Sequence, residues 1–185
     1  MKLNTSGGIG KNAKRLISCD VAESEQEMAV LRFFMLLSLV LWIGGIVYFG
    51  AVVAPTVFTV LPTHELAGKV VARSLAILHW MGIVCGLVFL STSIAYSRLS
   101  AGTAQPFAAR DVLIVLMILL TLVSQFAISA RMNSMRQQLG AIGQVSPTDP
   151  VRMEFNRLHQ WSTWIEMTVL GLGLVVIGLT AVRFR

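Results

Sequence analysis

Four apolar runs, Leu31 to Ala54, Ser74 to Tyr96, Val112 to Ala130 and Trp161 to Val182, alternate along the chain with polar connectors. A bilayer core about 30 Å thick takes about 20 apolar residues in a helix, so each run is long enough to cross it. Lipid offers nothing to pair a backbone N–H or C=O, and the runs lack the alternation of barrel strands, so they are predicted as helices. The expected fold is all-α: an integral membrane four-helix bundle over residues 28–185, behind a polar leader of residues 1–27. The leader has no periodic apolar positions and is expected to be mobile or only partly helical. A translation start at Met28 would remove it.

The polar residues inside the runs are few and unevenly placed. His79 opens the second run, Gln125 closes the third, and His159, Ser162 and Glu166 open the fourth. The second and fourth helices start on the side where the third ends, so all five fall in one leaflet whichever way the chain inserts. Phe155, His159, Ser162, Glu166 and Gly173 follow one another at spacings of four, three, four and seven, which puts them on one helix face. The opposite halves, Leu113 to Leu120 and Gly171 to Gly178, carry nothing to bind an ion, so no path right across is marked. Glu166 lies about 7 Å below Trp161 at 1.5 Å per residue, deep enough that it must be protonated, paired or wet. Two readings stand. Glu166 is a structural partner of His79, Gln125 or a basic residue at the rim, or it is a proton or cation acceptor in a polar pocket open on one side. His79 and His159 also fit structural hydrogen bonds, and His64 a solvated surface position.

Small residues and turn formers supply the punctuation. Gly82 and Gly86 form a small-xxx-small pair, as do Gly50 and Ala54, while Gly44, Gly45, Gly171 and Gly173 thin other faces; all are expected to pack helices rather than line a channel. Pro55 and Pro62 bracket an apolar continuation of the first run, which predicts a kink and a short interfacial segment. Ala101 to Pro106 reads as a tight connector. Arg131 to Leu139 is expected to extend the third helix into water, with Gly140 and Gly143 stopping it, Asp149 capping the next helix and Pro150 in its first turn. Trp42, Trp80, Trp161 and Trp164 read as interface anchors and packing, although Trp42 stands mid-span. Leu78-His-Trp80 and Leu158-His-Gln-Trp161 hint at a repeat of two helical hairpins, a match short enough to arise by chance.

Composition narrows the class and adds little to the site. The chain is 55% apolar and 13% charged, with a mean hydropathy of +0.73, outside the soluble range. Its pI near 10.0 reflects Lys and Arg at headgroup level, and no nucleic-acid partner is expected. Nine basic residues flank the runs on the side of the termini and six on the other, which puts both termini in the cytoplasm of a bacterial inner membrane. Without the leader the vote becomes five against six. Cys19 and Cys85 lie in different environments and are not expected to pair.

The stretch Leu41-Trp-Ile-Gly-Gly-Ile-Val-Tyr-Phe-Gly-Ala-Val-Val-Ala-Pro55, with Ala67-Gly68, Arg73 and Phe155-Asn-Arg-Leu-His159-Gln-Trp-Ser162-Thr-Trp-Ile-Glu166, resembles the transmembrane-protein-205-like domain family, over about residues 30 to 182. The first-span motif is also shared loosely with a copper-resistance membrane family containing Trp-x-Gly-Gly. The resemblance implies a small membrane bundle, with transport or metal-related roles suggested for eukaryotic relatives; where some relatives carry an amide, this chain has Glu166.

The leading functional reading is therefore a multi-pass membrane protein whose one-leaflet polar pocket of His79, Gln125, His159, Ser162 and Glu166 binds or transports a small solute or ion. A copper or soft-metal handling protein would draw on His79, Cys85, His159 and the methionines, since imidazole, thiolate and thioether suit Cu(I). A bis-histidine haem protein using His79 and His159, and a purely structural assembly protein, are further alternatives. Beyond these cases no cofactor is expected. The partner is the lipid bilayer, with a homo-oligomer left open. There is no Ser-His-Asp set, phosphate loop or zinc spacing, so no enzyme is expected.

Overall fold

The structure is a computed structural model that describes residues 6–101, 109–139, 146 and 148–183, with side chains described over 24–100, 109–137, 146 and 148–182. All its regular elements are helical: α1 Ser6–Tyr48, a π-helical segment Phe49–Val53, α2 Ala54–Val60, α3 His64–Ala101, α4 Ala109–Val123, a second π-helical segment Ser124–Ser129, α5 Ala130–Leu139 and α6 Pro150–Arg183. They make four helices long and apolar enough to cross a membrane, Ser24–Val60, His64–Ser100, Ala109–Gln137 and Pro150–Val182. Each extends beyond the apolar run within it, because polar residues at the rim do not end a helix whose backbone bonds are already made.

Residues 6–27, read as at most partly helical, are the first turns of the helix that carries the first span. Pro55 does not break that helix. The missing N–H and the ring clash at a proline interior to a helix are met by the wider turn just before it, the π-helical segment Phe49–Val53, and α2 continues to Val60. The true end is Leu61, held extended at φ −80° and ψ 141° as the residue before Pro62 must be. Thr63 then caps α3, its Oγ1 accepting from Leu66 N–H at 3.3 Å. At α6 the Asp149 side chain accepts the Val151 N–H at 2.8 Å, with Pro150 opening the helix. The connector Ala101 to Pro106 and the stop at Gly140 and Gly143 lie outside the described residues, apart from Ala101, which ends α3.

The main contacts run from α1 to α3, α3 to α4, α4 to α6 and α6 back to α1, so the four spans form a ring with alternating direction. The centre is closed by Trp42, Phe89, Met35, Leu39, Ile114, Met117, Val169 and Val176, all at most 2% exposed. Trp42 is thus core rather than an interface anchor, whereas Trp80, Trp161 and Trp164 face outward at 53%, 58% and 70%. Its indole lies over Gly82 and Gly86, where a Cβ would collide with ring atoms. Gly45 admits Met81 and Leu78, and Gly173 admits Ile43 and Met117. Gly44, Gly50 and Gly171, also expected to pack helices, have nothing within 4 Å of a would-be Cβ and look outward.

Those close approaches fix the register. Gly86 meets Ile118, and Gly173 meets Met117. In antiparallel neighbours a step of seven residues along one helix is matched by seven back along the other, and seven residues return to the same face after two turns.

Candidate functional site

Seven residues from that middle layer, toward the start of α3 and α6, stand His79 and Glu166. His79 is 2% exposed. Its Nδ1–H donates to Gln125 Oε1 at 2.8 Å, and its Nε2 lies 2.6 Å from Glu166 Oε1. Glu166 retains 13% exposure. Since α3 and α6 are not neighbours in the ring, the imidazole bridges the bundle diagonally and draws in the third span through Gln125. The first π-helical residues of that span, Ser124 and Gln125, sit at this level, in the kind of local widening often found where a helix carries function. Just outside, Trp80 and Phe126 meet edge to face at 6.1 Å between ring centres, pinning the same two helices from the lipid side.

The proton arrangement follows from the partners. With Nδ1–H given to an amide oxygen, the Nε2···Oε1 contact holds one proton, as imidazolium with carboxylate or as imidazole with carboxylic acid. Both forms leave the pair neutral. Losing that proton would place two acceptors face to face and leave a net negative charge in the bundle, where burial makes it costly.

The other expected members of the pocket lie apart. Ser162 is buried at 5%, one turn before Glu166, with no hydrogen bond to the triad among the described residues. His159 is exposed, seven residues or about 10 Å along the axis from Glu166. It lies at the rim, where Arg136 stacks on Phe155 at 5.0 Å and Arg131 pairs with Glu154 at 3.1 Å. The buried His79 and exposed His159 therefore do not repeat one another. Cys85 is a free, buried thiol in the apolar core, while the side chain of Cys19 lies outside the described residues. Among the described residues no three His, Cys, Asp or Glu side chains come together as a metal site would require. Both ring nitrogens of His79 are engaged, so the two-imidazole arrangement of a bis-histidine haem is not assembled. A surface groove of about 480 Å³, lined by Gln26, Glu27, Val30, Leu31, Ala95 and Leu99, belongs to the other end of the bundle. Of the five residues expected in the pocket, His79, Gln125 and Glu166 come together, as a hydrogen-bonded triad.

The apolar halves Leu113 to Leu120 and Gly171 to Gly178 predict no site at that other end. That end holds a second buried polar layer. Arg110 and Asp111 are each 3% exposed and Ser93 fully buried. Ser93 Oγ–H donates to Asp111 Oδ1 at 2.7 Å, Arg110 Nη2–H donates to Ser93 Oγ at 2.9 Å, and Arg110 Nε stands 3.6 Å from Asp111 Oδ1. Beside them Arg32 donates to the Tyr96 hydroxyl at 2.8 Å and lies over its ring. The missed signal is a spacing of fourteen: His79 and Ser93, Asp111 and Gln125, Glu166 and Thr180. Each pair shares a face two heptads apart, about 21 Å along the axis.

A family model described as a domain of unknown function (DUF4149) matches residues 37–141, more than half of the chain. This match is to an uncharacterised domain and lends no specific support to the resemblance to the transmembrane-protein-205-like family. No curated protein and no solved structure matches the chain.

Proposed function

We infer the function of this chain, which belongs to the DUF4149 family of domains of unknown function, from its buried triad. The protein is a non-enzymatic, multi-pass membrane protein that holds an exchangeable proton at one membrane face and links it to the binding or transport of a small solute or ion. The observation that carries this reading is the 2.6 Å contact between His79 and Glu166 across the diagonal of the bundle. While the shared proton is present, the contact ties the second span to the fourth. Once it leaves, two acceptors repel, and the tie between those spans becomes a separation. With both termini cytoplasmic, as the basic flanks favour, the triad faces the periplasmic side.

A structural reading has one specific observation in its favour: both ring nitrogens of His79 are satisfied, as in a permanent staple. Proton counting separates the two. Purified protein in lipid nanodiscs, titrated against a pH indicator, is expected to take up one more proton than the Glu166→Gln variant over the same range. Equal uptake by two folded samples would leave only the staple.

A further inference from the structure

The second polar layer is not saturated. Asp111 Oδ2 is buried and has no hydrogen-bond partner among the described residues. The register that sets Gly173 against Met117 sets Thr180, seven residues on, level with residues 110 and 111. Thr180 is fully buried and its hydroxyl is also without a partner. That is not how threonines in this bundle usually behave: Thr121, Thr163 and Thr168 each return their hydroxyl to the carbonyl four residues back, at 2.9, 3.0 and 2.8 Å. Away from water, an unused hydroxyl and an unused carboxyl oxygen at one level are each costly. The triad layer has its own counterpart in Ser124, fully buried with an unpartnered Oγ.

We propose that Asp111 is a second proton-binding site, in the leaflet opposite the triad, formed with Ser93, Arg110 and Thr180. The network accommodates the proton without being dismantled. Protonation at Oδ2 leaves Oδ1 accepting from Ser93 Oγ–H and leaves Ser93 Oγ accepting from Arg110, while turning an idle acceptor into a donor. Arg110 compensates the ionised form. Among the described residues the charged or titratable groups toward this end are Arg110 on the carboxyl's own helix, Glu25, Glu27 and Arg32 on α1, and Tyr96 and Arg98 on α3, of which Arg32 and Tyr96 engage each other. Between the two sites lie Trp42, Phe89, Ile114, Met117, Val169 and Val176, so each layer answers to its own membrane face, and among the described residues no hydrogen-bonded chain joins them. This inference goes beyond the triad and does not rest on it.

Infrared spectroscopy of nanodisc-embedded protein with carboxyl-labelled aspartate tests it. The sequence has three aspartates, and only Asp111 lies in a span, Asp20 and Asp149 being outside. Expected is one protonated-carboxyl band that carries the isotope shift, grows as pH falls, moves on deuterium exchange and vanishes in Asp111→Asn, including in a Glu166→Gln background. Should Asp111→Asn not fold, Thr180→Val and Ser93→Ala are expected to displace the band. The proposal is overturned if the aspartate signal stays carboxylate wherever the protein is folded, which would make Arg110 and Asp111 a permanent ion pair. A protonated band indifferent to all three substitutions would overturn it equally. Loss of proton uptake in Glu166→Gln alone bears on the triad and leaves the aspartate band as the separate readout.

Discussion

The two polar layers occupy matching heptad positions on the same three spans, yet they are wired differently. The upper one reaches from α3 across the bundle to α6 and contains no residue with a fixed charge, so nothing in it would balance the loss of its proton. In the lower one the bonds among Ser93, Arg110 and Asp111 stay within the α3–α4 hairpin, where Arg110 balances Asp111 locally. A polar group that spans a bundle can report its protonation as helix movement, whereas one confined to a hairpin can change state with the bundle at rest. Both layers are held apart by an apolar centre seated on glycines.

The strongest way to break this comparison is to remove the lower layer's fixed charge. Arg110→Leu leaves Asp111 3% exposed with only Ser93 for company, and stripping one partner from a buried pair typically costs about 3–5 kcal/mol. Denaturant or thermal unfolding in detergent is expected to show a loss of that order, with much of it restored in the Arg110→Leu, Asp111→Leu double variant. An unaffected single variant would mean that Asp111 is already neutral there.

The centre that separates the layers gives the next effect. A Cβ at Gly82 would fall on the rigid indole of Trp42, and overpacking of this kind costs about 1–3 kcal/mol. Gly82→Ala is expected to destabilise within that range, measured against Gly44→Ala in the same span bundle. Gly44 has nothing within 4 Å, so alanine there is expected to be neutral or to gain up to about 1 kcal/mol of helix propensity. Equal outcomes would show that the middle layer yields freely and does not insulate the sites.

Glu166→Gln sharpens the upper half of the comparison. The amide N–H of the glutamine can still donate to the unprotonated His79 Nε2, so the geometry has a substitute and only the charge-assisted part is lost. About 1 kcal/mol is expected, near the worth of one hydrogen bond. A much larger loss, alongside unchanged proton uptake, would make the triad a staple.

The spans and the triad were legible because long apolar runs leave few polar residues, and His79, Gln125 and Glu166 are conspicuous within them. Direction alone then put them in one leaflet. Which of the five would meet was not legible: His159 shares a face with Glu166, but its distance along the axis takes it to the rim, where it is exposed. Arg110 and Asp111 escaped because they stand at the edge of the third run, where a charge ordinarily belongs to the headgroups, and only tertiary packing reveals that α3 covers them. Their signal was present as the heptad series 79–86–93, 111–118–125 and 166–173–180, which pairs polar ends with a small or apolar middle. The outward glycines failed for a similar reason, since small size permits close approach without saying which face has a neighbour.

The smallest expected effect isolates burial as the cause. Arg131 and Glu154 form an ion pair at 3.1 Å at the same end as the triad, but their side chains are 58% and 41% exposed. Water and salt screen such a pair, and ordering two long side chains offsets much of the attraction, so exposed pairs contribute about 0–1 kcal/mol. Glu154→Gln is therefore expected to change unfolding by less than about 0.5 kcal/mol, with that difference shrinking as salt is raised. It carries the same chemical change, a carboxylate made an amide, as Glu166→Gln on the same helix. Were the two variants to cost the same, the depth of Glu166 would be irrelevant to its role, and the contrast between buried layers and wet rim would lose its physical basis.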